Sequence, residues 1–218
     1  MSGLRIALLG AGEIGGTLGR KWAEAGHTVA FGVKNPASEK AQSLRAELGE
    51  HILIGSPAEA LANSDIVLLA VPGNAVKEVV AAHAELLDRK IIIDSTNQLV
   101  KGQVEDFKQR RQRTMNSLST LQTSAPSAQI YRAFNNYSWQ VFAEPIYNGV
   151  QADLFYCGPE GESLHVIEQL ISEIGLNPLR VGDLERIEIV DDVLLLWAAL
   201  SFSQNGGSRK AAIKMVTR

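Results

Sequence analysis

The chain has 218 residues, 45% hydrophobic, 6% aromatic and 21% charged, with a formal net charge of -3. This suits one large α/β domain with or without a small appendage, and the lack of a basic excess excludes a broad nucleic-acid face. A single cysteine excludes an internal disulfide, no apolar run reaches membrane-spanning length, and no signal segment precedes the first apolar run, so a cytoplasmic protein is expected.

Leu4-Arg5-Ile6-Ala7-Leu8-Leu9 reads as a buried strand and runs into Gly10-Ala11-Gly12-Glu13-Ile14-Gly15, a G-x-G-x-x-G turn. A helix over Ile14 to Ala25 follows, with Leu18 and Trp22 four apart on one side. The strand–turn–helix context turns a weak pattern into a dinucleotide-binding signature. Gly10 permits the tight turn, Gly12 lets the backbone approach a pyrophosphate, and Gly15 lets the helix lie close on the strand. The helix start at Glu13 and Ile14 offers free N–H groups and a positive dipole end to phosphates. Gly10, Gly12, Glu13, Ile14 and Gly15 are therefore candidate cofactor contacts.

A second strand is expected over His27 to Val33. Asn35-Pro36 is read as the start of a helix with Ala41, Leu44 and Leu48 on one face. Ile52-Leu53-Ile54 is a third strand, and Ser56-Pro57-Ala58-Glu59 is a capping box opening a short helix that ends near Asn63. Ile66 to Val71 is a fourth strand stopped by Pro72-Gly73. Asn74 is expected to cap a helix from Ala75 to about Leu87, and Ile91-Ile92-Ile93 forms the fifth strand. Strands alternating with helices predict a parallel sheet covered on both faces, a doubly wound Rossmann-type α/β fold with a small C-terminal helical lobe.

From Leu99 to Ala128 the pattern weakens into a polar crossover with a helix near Ser117–Thr123; Arg110-Arg111-Gln112-Arg113 within it reads as a solvated basic cluster. Gln129 to Asn135, Asp153 to Cys157 and Pro178 to Val181 are further strands. Cys157 is expected to be a buried thiol. Glu160 to Ile174 is a helix ending at Gly175. Asp183 to Leu200 is a last helix, apolar on most sides, that should be buried under the domain or across a subunit interface. The expected division is a nucleotide-binding domain over 1–150 and, over 151–218, strands and helices that complete the sheet and form the substrate or dimer side.

An acidic residue about 20 residues past the glycines usually holds a free ribose 2′-hydroxyl. Among Phe31, Gly32, Val33, Lys34 and Asn35 none is acidic, and Lys34 would attract a 2′-phosphate. NADP is therefore the expected cofactor, with Val33, Lys34, Asn35 and Ser38 around the phosphate. Ligands in such sheets lie at the carboxyl ends of strands. That adds Ala70, Val71 and Pro72 beside the cofactor, with Thr96, Asn97, Ala133, Phe134 and Asn135 nearer the nicotinamide.

These residues resemble the NADPH-dependent coenzyme F420 reductases and their dinucleotide-binding relatives. The matching pieces are Ile6 through Gly15, Gly26-His27-Thr28-Val29 with Gly32-Val33-Lys34-Asn35, Ser64 through Pro72, and Arg132-Ala133-Phe134-Asn135. The tail from Leu194-Leu195-Leu196-Trp197 through Gly206-Gly207 to Lys214-Met215 matches as well. The resemblance implies an NADP-bound Rossmann sheet, hydride transfer between NADPH and a planar acceptor (F420, a flavin or similar), and a homodimer. Where that family's 2′-phosphate loop reads Ser-Arg-Arg, this chain reads Val33-Lys34-Asn35, and the polar segment Lys101–Asn116 is longer than expected.

Hydride transfer between two flat rings needs alignment rather than acid–base chemistry. No catalytic residue is singled out, and no Tyr-x-x-x-Lys pair occurs: the residues four after Tyr131, Tyr137, Tyr147 and Tyr156 are Asn135, Val141, Gln151 and Glu160. His27 is expected to bond locally. His51, His83 and His165 read as surface or structural, and no Cys/His/Asp cluster has metal-ligand spacing. Three readings stay open: an NADPH-dependent oxidoreductase acting on a planar acceptor, a non-catalytic NADP(H)-binding redox sensor, and a small carbonyl or imine reductase with Tyr137 or water as proton donor.

Overall fold

The computed structural model describes residues 3–49, 52–98, 114–204 and 207–217. Six parallel strands form the main sheet in the order β3-β2-β1-β4-β5-β6: β1 (Arg5–Leu9), β2 (Thr28–Gly32), β3 (Ile52–Gly55), β4 (Ile66–Leu69), β5 (Ile91–Asp94) and β6 (Gln129–Arg132). The inner strands β1, β4 and β5 read as apolar runs with at most one polar end residue because both faces are covered, whereas β6 is Gln-Ile-Tyr-Arg. Along β1 the pleat sends Ile6 and Leu8 into one core, with Trp22 and Phe31, and Ala7 and Leu9 into the other, with Leu61 and Val67. The order reverses between β1 and β4, which places a switch point at their carboxyl ends.

Helix α1 (Glu13–Glu24) packs close on the sheet through glycine: a Cβ on Gly19 would lie 2.3 Å from Phe31 Cζ. Helix α2 (Glu39–Leu48) begins later than Asn35-Pro36 predicts. The Ser38 hydroxyl caps it, accepting from Ala41 N at 3.4 Å, while Asn35 Oδ1 accepts from Ala37 N and makes a separate turn. Helix α3 (Pro57–Ala62) carries the complete Ser56–Glu59 capping box. The helix expected over Ala75–Leu87 is three pieces: a 3-10 turn Gly73–Ala75, α4 (Val76–Ala82) and α5 (Ala84–Leu87), broken at His83. Asn74 lies inside the 3-10 turn and caps nothing.

After β5, residues 99–113 fall outside the described residues, and with them the basic cluster and most of the polar segment Lys101–Asn116; His51 does too. Helix α6 (Leu118–Ser124) closes the crossover. Helix α7 (Trp139–Ala143) and a hairpin of β7 (Ile146–Tyr147) and β8 (Val150–Gln151) were not expected from the sequence. Strands β9 (Asp153–Tyr156) and β10 (Asn177–Arg180) form a separate parallel pair, joined to β6 by an antiparallel bridge between Arg132 and Cys157. Helix α8 (Glu162–Glu173) connects them. His27, expected to bond locally, instead ties this lobe to the start of β1: its Nδ1 accepts from Leu4 N, and its Nε2 lies 2.6 Å from Glu173 Oε2.

Helix α9 (Ile187–Ala199) is buried on one face only. Ile187, Val190, Leu194 and Trp197 pack inward, while Ile189, Leu196 and, just past the helix, Leu200 stay 47%, 52% and 42% exposed, so the domain itself covers only one of its faces. The chain then folds back. Trp197 Nε1 donates to Ala211 O at 2.6 Å, and Ser138 Oγ donates to Arg209 O at 2.6 Å.

Asp153 latches this tail. Its Oδ1 accepts from Lys214 Nζ at 2.6 Å and Asn177 Nδ2 at 2.7 Å, and its Oδ2 from Met215 N at 2.6 Å. Burial pushes the carboxyl upward, but these donors outweigh it and hold Asp153 below the usual carboxylate range. A depressed native value stabilises the fold above the unfolded carboxylate's range and is lost as pH falls through that depressed value. Thermal melts from pH 7 down to pH 2 should therefore show a smaller acid loss of Tm in Asp153→Asn than in the wild type, on a lower starting Tm.

Candidate dinucleotide site

The switch point is built by three glycines in three ways. Gly10 leaves β1 at φ 111°, and a Cβ there would come within 2.6 Å of Ala70 O. A Cβ on Gly15 would stand 2.2 Å from Gly10 O, so the helix can start this close to the strand only with glycine. At Gly12 a Cβ would meet nothing within 4 Å. Gly12 is the N-cap of α1 and brings no side chain, so the N–H groups of the first turn face open space. An anion fits this cradle, and the residues present suit a nucleotide pyrophosphate.

A cleft of about 270 Å³ opens beside the turn, lined by Gly12, Val33, Lys34, Asn35, Ser38 and Lys40 among others. The structure thus brings together all four residues expected around a 2′-phosphate. It adds Lys40, which sequence reasoning missed. The available signal was a second cation in the first turn of the helix after β2. Lys34 Nζ is 4.0 Å from Glu78 Oε1, both exposed, a pairing worth little in water. A second cleft of about 250 Å³ shares Gly12 and Lys40 and continues past Glu13, Thr17 and Arg20 to Trp139.

Across the switch point, Ala70 and Val71 are half-buried and Pro72 is exposed. The residues ending β5 and β6 are placed differently. Thr96, Ala133 and Asn135 are buried, and Asn97 is partly so. Thr96 is occupied by Asp94 Oδ1, which receives its N–H at 3.0 Å and its hydroxyl at 2.6 Å. Asn97 Nδ2 donates to Asn135 O at 2.9 Å, and Asn135 Nδ2 to Asp191 Oδ1 at 3.2 Å. Asn135 Oδ1 is buried without a partner among the described residues, an open acceptor at this end of the sheet.

Between Ala133 and Asn135 the backbone is strained: Phe134 sits at φ 60°, at a cost of about 1–3 kcal/mol. Its ring is pinned edge-on by Trp22 and Phe142, each with centroids 5.7 Å away.

Arg132 organises this end. Its guanidinium donates to Thr96 O, to Asn97 Oδ1 at 2.9 Å and to Asp94 O at 3.2 Å. Nε and Nη2 lie 2.8 and 2.7 Å from Asp191 Oδ1. Burial pushes Asp191 upward, opposed by Arg132 and by the Asn116 hydrogen bond. Cys157 is fully buried beside the group, its thiol raised by burial to about 12. Tyr137 is not a proton donor for chemistry: its hydroxyl donates to Asp153 O at 2.9 Å and accepts from Ile213 N at 3.3 Å, and burial raises it well above its usual value.

Residues 5–98 match the family model described as NADP oxidoreductase, coenzyme F420-dependent. The metalloreductase STEAP3 of Rattus norvegicus is 25% identical over 195 residues, covering 88% of this chain and 36% of that protein. The chain spans about a third of the length of the curated relatives it matches. Among solved structures, a protein from Arthrobacter sp. FB24 assigned provisionally as an F420-dependent NADP-reductase superposes with a TM-score of 0.83 at 21% identity, over 99% of this chain and 100% of that one. The reductive aminase of Aspergillus terreus in complex with NADPH and ethyl-5-oxohexanoate gives 0.66 at 19% identity, over 94% and 63%. At these identities the structural likeness shows the fold alone, a Rossmann-type α/β sheet. Among the described residues no helix is long and apolar enough to cross a membrane. The family match thus lies over the glycine turn and the first five strands, and over that stretch the chain is similar to the coenzyme F420-dependent NADP oxidoreductases.

Proposed function

We propose that the chain binds NADP(H) and transfers a hydride between NADPH and a planar acceptor such as F420 or a flavin. The observation that carries this reading is the pair Lys34 and Lys40 on one cleft with no carboxylate lining it, directly beside the open cradle at Gly12. Two cations favour a 2′-phosphate, which an acidic residue would repel. The bound nicotinamide supplies the hydride. The chain's own part is to hold the phosphates on α1, seat the adenosine end against Val33 to Lys40, and fix the far end against the strand ends after β4, β5 and β6. Apart from Asn135 Oδ1, the buried polar groups named there are committed to one another, which suits a reaction that needs alignment more than proton transfer. The same commitment suits a non-catalytic redox sensor, which would bind NADPH without consuming it.

In this reading residues 1–150 hold the nucleotide, residues 151–218 shape the acceptor side, and the protein works in the cytoplasm as a homodimer. The dimer is supported by the stripe Ile189, Val193, Leu196 and Leu200, which runs at helical spacing along the uncovered face of α9.

Calorimetry should show NADPH binding more tightly than NADH. Lys34→Ala and Lys40→Ala should each weaken NADPH about tenfold, or about 1.4 kcal/mol, with little effect on NADH. Equal binding of the two nucleotides in the wild type would remove the NADP assignment. Adding F420 or FMN to the NADPH complex should then bleach the reduced-nicotinamide absorbance band. Binding with no bleaching by any planar acceptor would favour the sensor. Sedimentation should give a dimer that Leu196→Lys converts to a folded monomer; a monomeric wild type would refute the stripe's role.

A further inference from the structure

At the carboxyl ends of β5 and β6 three charged side chains are buried together: Arg132 is 0% exposed, Asp94 1% and Asp191 6%. They arrive from β6, β5 and α9, so the last helix reaches the nucleotide end of the sheet through a charge. Both carboxylates are surrounded by donors. Asp94 Oδ1 receives the Thr96 N–H and hydroxyl, while its Oδ2 receives Ser117 N at 2.8 Å and lies 3.3 Å from Arg132 Nη1. Asp191 Oδ1 receives Arg132 Nε and Asn135 Nδ2, and its Oδ2 receives Asn116 Nδ2 at 2.8 Å. All of these contacts come from donors, which carboxylate oxygens accept; burial and the nearby Asp94 push Asp191 upward, and Arg132 and the Asn116 hydrogen bond oppose them.

One guanidinium against two carboxylates leaves one negative charge uncompensated. The neighbouring cation Arg180 is engaged elsewhere, by Glu160, Asp183 and the Gly158 carbonyl. The Cys157 thiol beside the group is neutral at pH 7. The remaining contacts are dipoles, from Thr96, Asn97, Asn116, Ser117 and Asn135, which orient the charge without cancelling it. Buried charge is weakly screened, so its field reaches neighbouring groups.

We propose that this buried surplus of negative charge makes the site at the ends of β5 and β6 hold an oxidised, cationic nicotinamide in preference to the reduced, neutral one, and so biases bound nucleotide toward giving up its hydride. The inference rests on the nucleotide reading above. Were NADPH bound there, loss of its hydride with both electrons to the planar acceptor would leave a positively charged ring, the form that the charge on Asp191 and Asp94 would favour. Asp191 acts here as a positioning residue, through Arg132 and Asn135.

The test is the ratio of the NADP+ and NADPH dissociation constants, by calorimetry, in the wild type, Asp191→Asn, Asp94→Asn and Asn116→Ala. Removing either charge should weaken NADP+ about fivefold relative to NADPH. Asn116→Ala, which removes a hydrogen bond and no charge, should leave the ratio unchanged. A purely structural role would weaken both forms together and keep the ratio constant, which would overturn the proposal while leaving NADP(H) binding intact. Binding of neither form by the wild type would remove the nucleotide reading itself. Should one Asp→Asn variant fail to fold, the other removes the same charge from the opposite side of Arg132.

Discussion

The rest of the molecule is arranged around a guanidinium that cannot reach water. Arg132 ends β6 with its side chain wholly buried, and five groups on three separate segments converge on it: Asp94, Thr96, Asn97, Asp191 and, by way of Asp191, Asn135. Taking such a group out of water is costly, and burying it with two carboxylates adds little net stability. Its value lies in specificity: removing one partner would leave a buried charge unsatisfied at a cost of about 3–5 kcal/mol. No packing of α9 that misplaces Asp191 can then compete. The backbone of Arg132 adds the antiparallel bridge to Cys157, so one residue joins the main sheet, the small β9-β10 sheet and the last helix.

The opposite side of the switch point is governed by space rather than charge. Gly10 and Gly15 bring β1, β4 and α1 closer than any side chain would allow, and Gly12 leaves open space above the helix start. The two halves of the site therefore differ in kind. The phosphate half is open and lined by two cations, Lys34 on the loop after β2 and Lys40 in the first turn of α2. The far half is dry, hydrogen-bonded throughout its charged cluster and held by the strained backbone at Phe134. A polar ligand could be captured at the first and oriented at the second.

Much of this was legible in the chain because its signals are local. The first five sheet strands are largely apolar runs stopped within a few residues by glycine, proline or asparagine, and the glycine turn and the Ser56–Glu59 box state their geometry within a few residues. Errors came where two local signals competed. Asn35-Pro36 looks like a helix start, but the Ser38 hydroxyl captures the Ala41 N–H and sets the boundary there. A helix-competent run from Ala75 to Leu87 is broken at His83. The apolar richness of α9 pointed to burial under the domain or across a subunit interface; the domain covers one face, and nothing among the described residues covers Leu196. Arg132 gave no signal, since its partners lie as far as 59 residues away in sequence. Lys40 was one exposed lysine among many until the fold set it across from Gly12.

The returning tail leaves an optical trace. Of the chain's three tryptophans, Trp22 is sealed in the core, with its indole N–H on Leu170 O, and Trp139 is exposed on its short helix. Trp197 donates its indole N–H to Ala211, a residue of the tail itself, and stacks edge-on against Tyr137 and Phe202. Lifting the tail off Asp153 would free that indole's N–H while leaving Trp22 sealed in the core, so a change in tryptophan emission can report detachment of the C-terminal segment before the sheet beneath it unfolds.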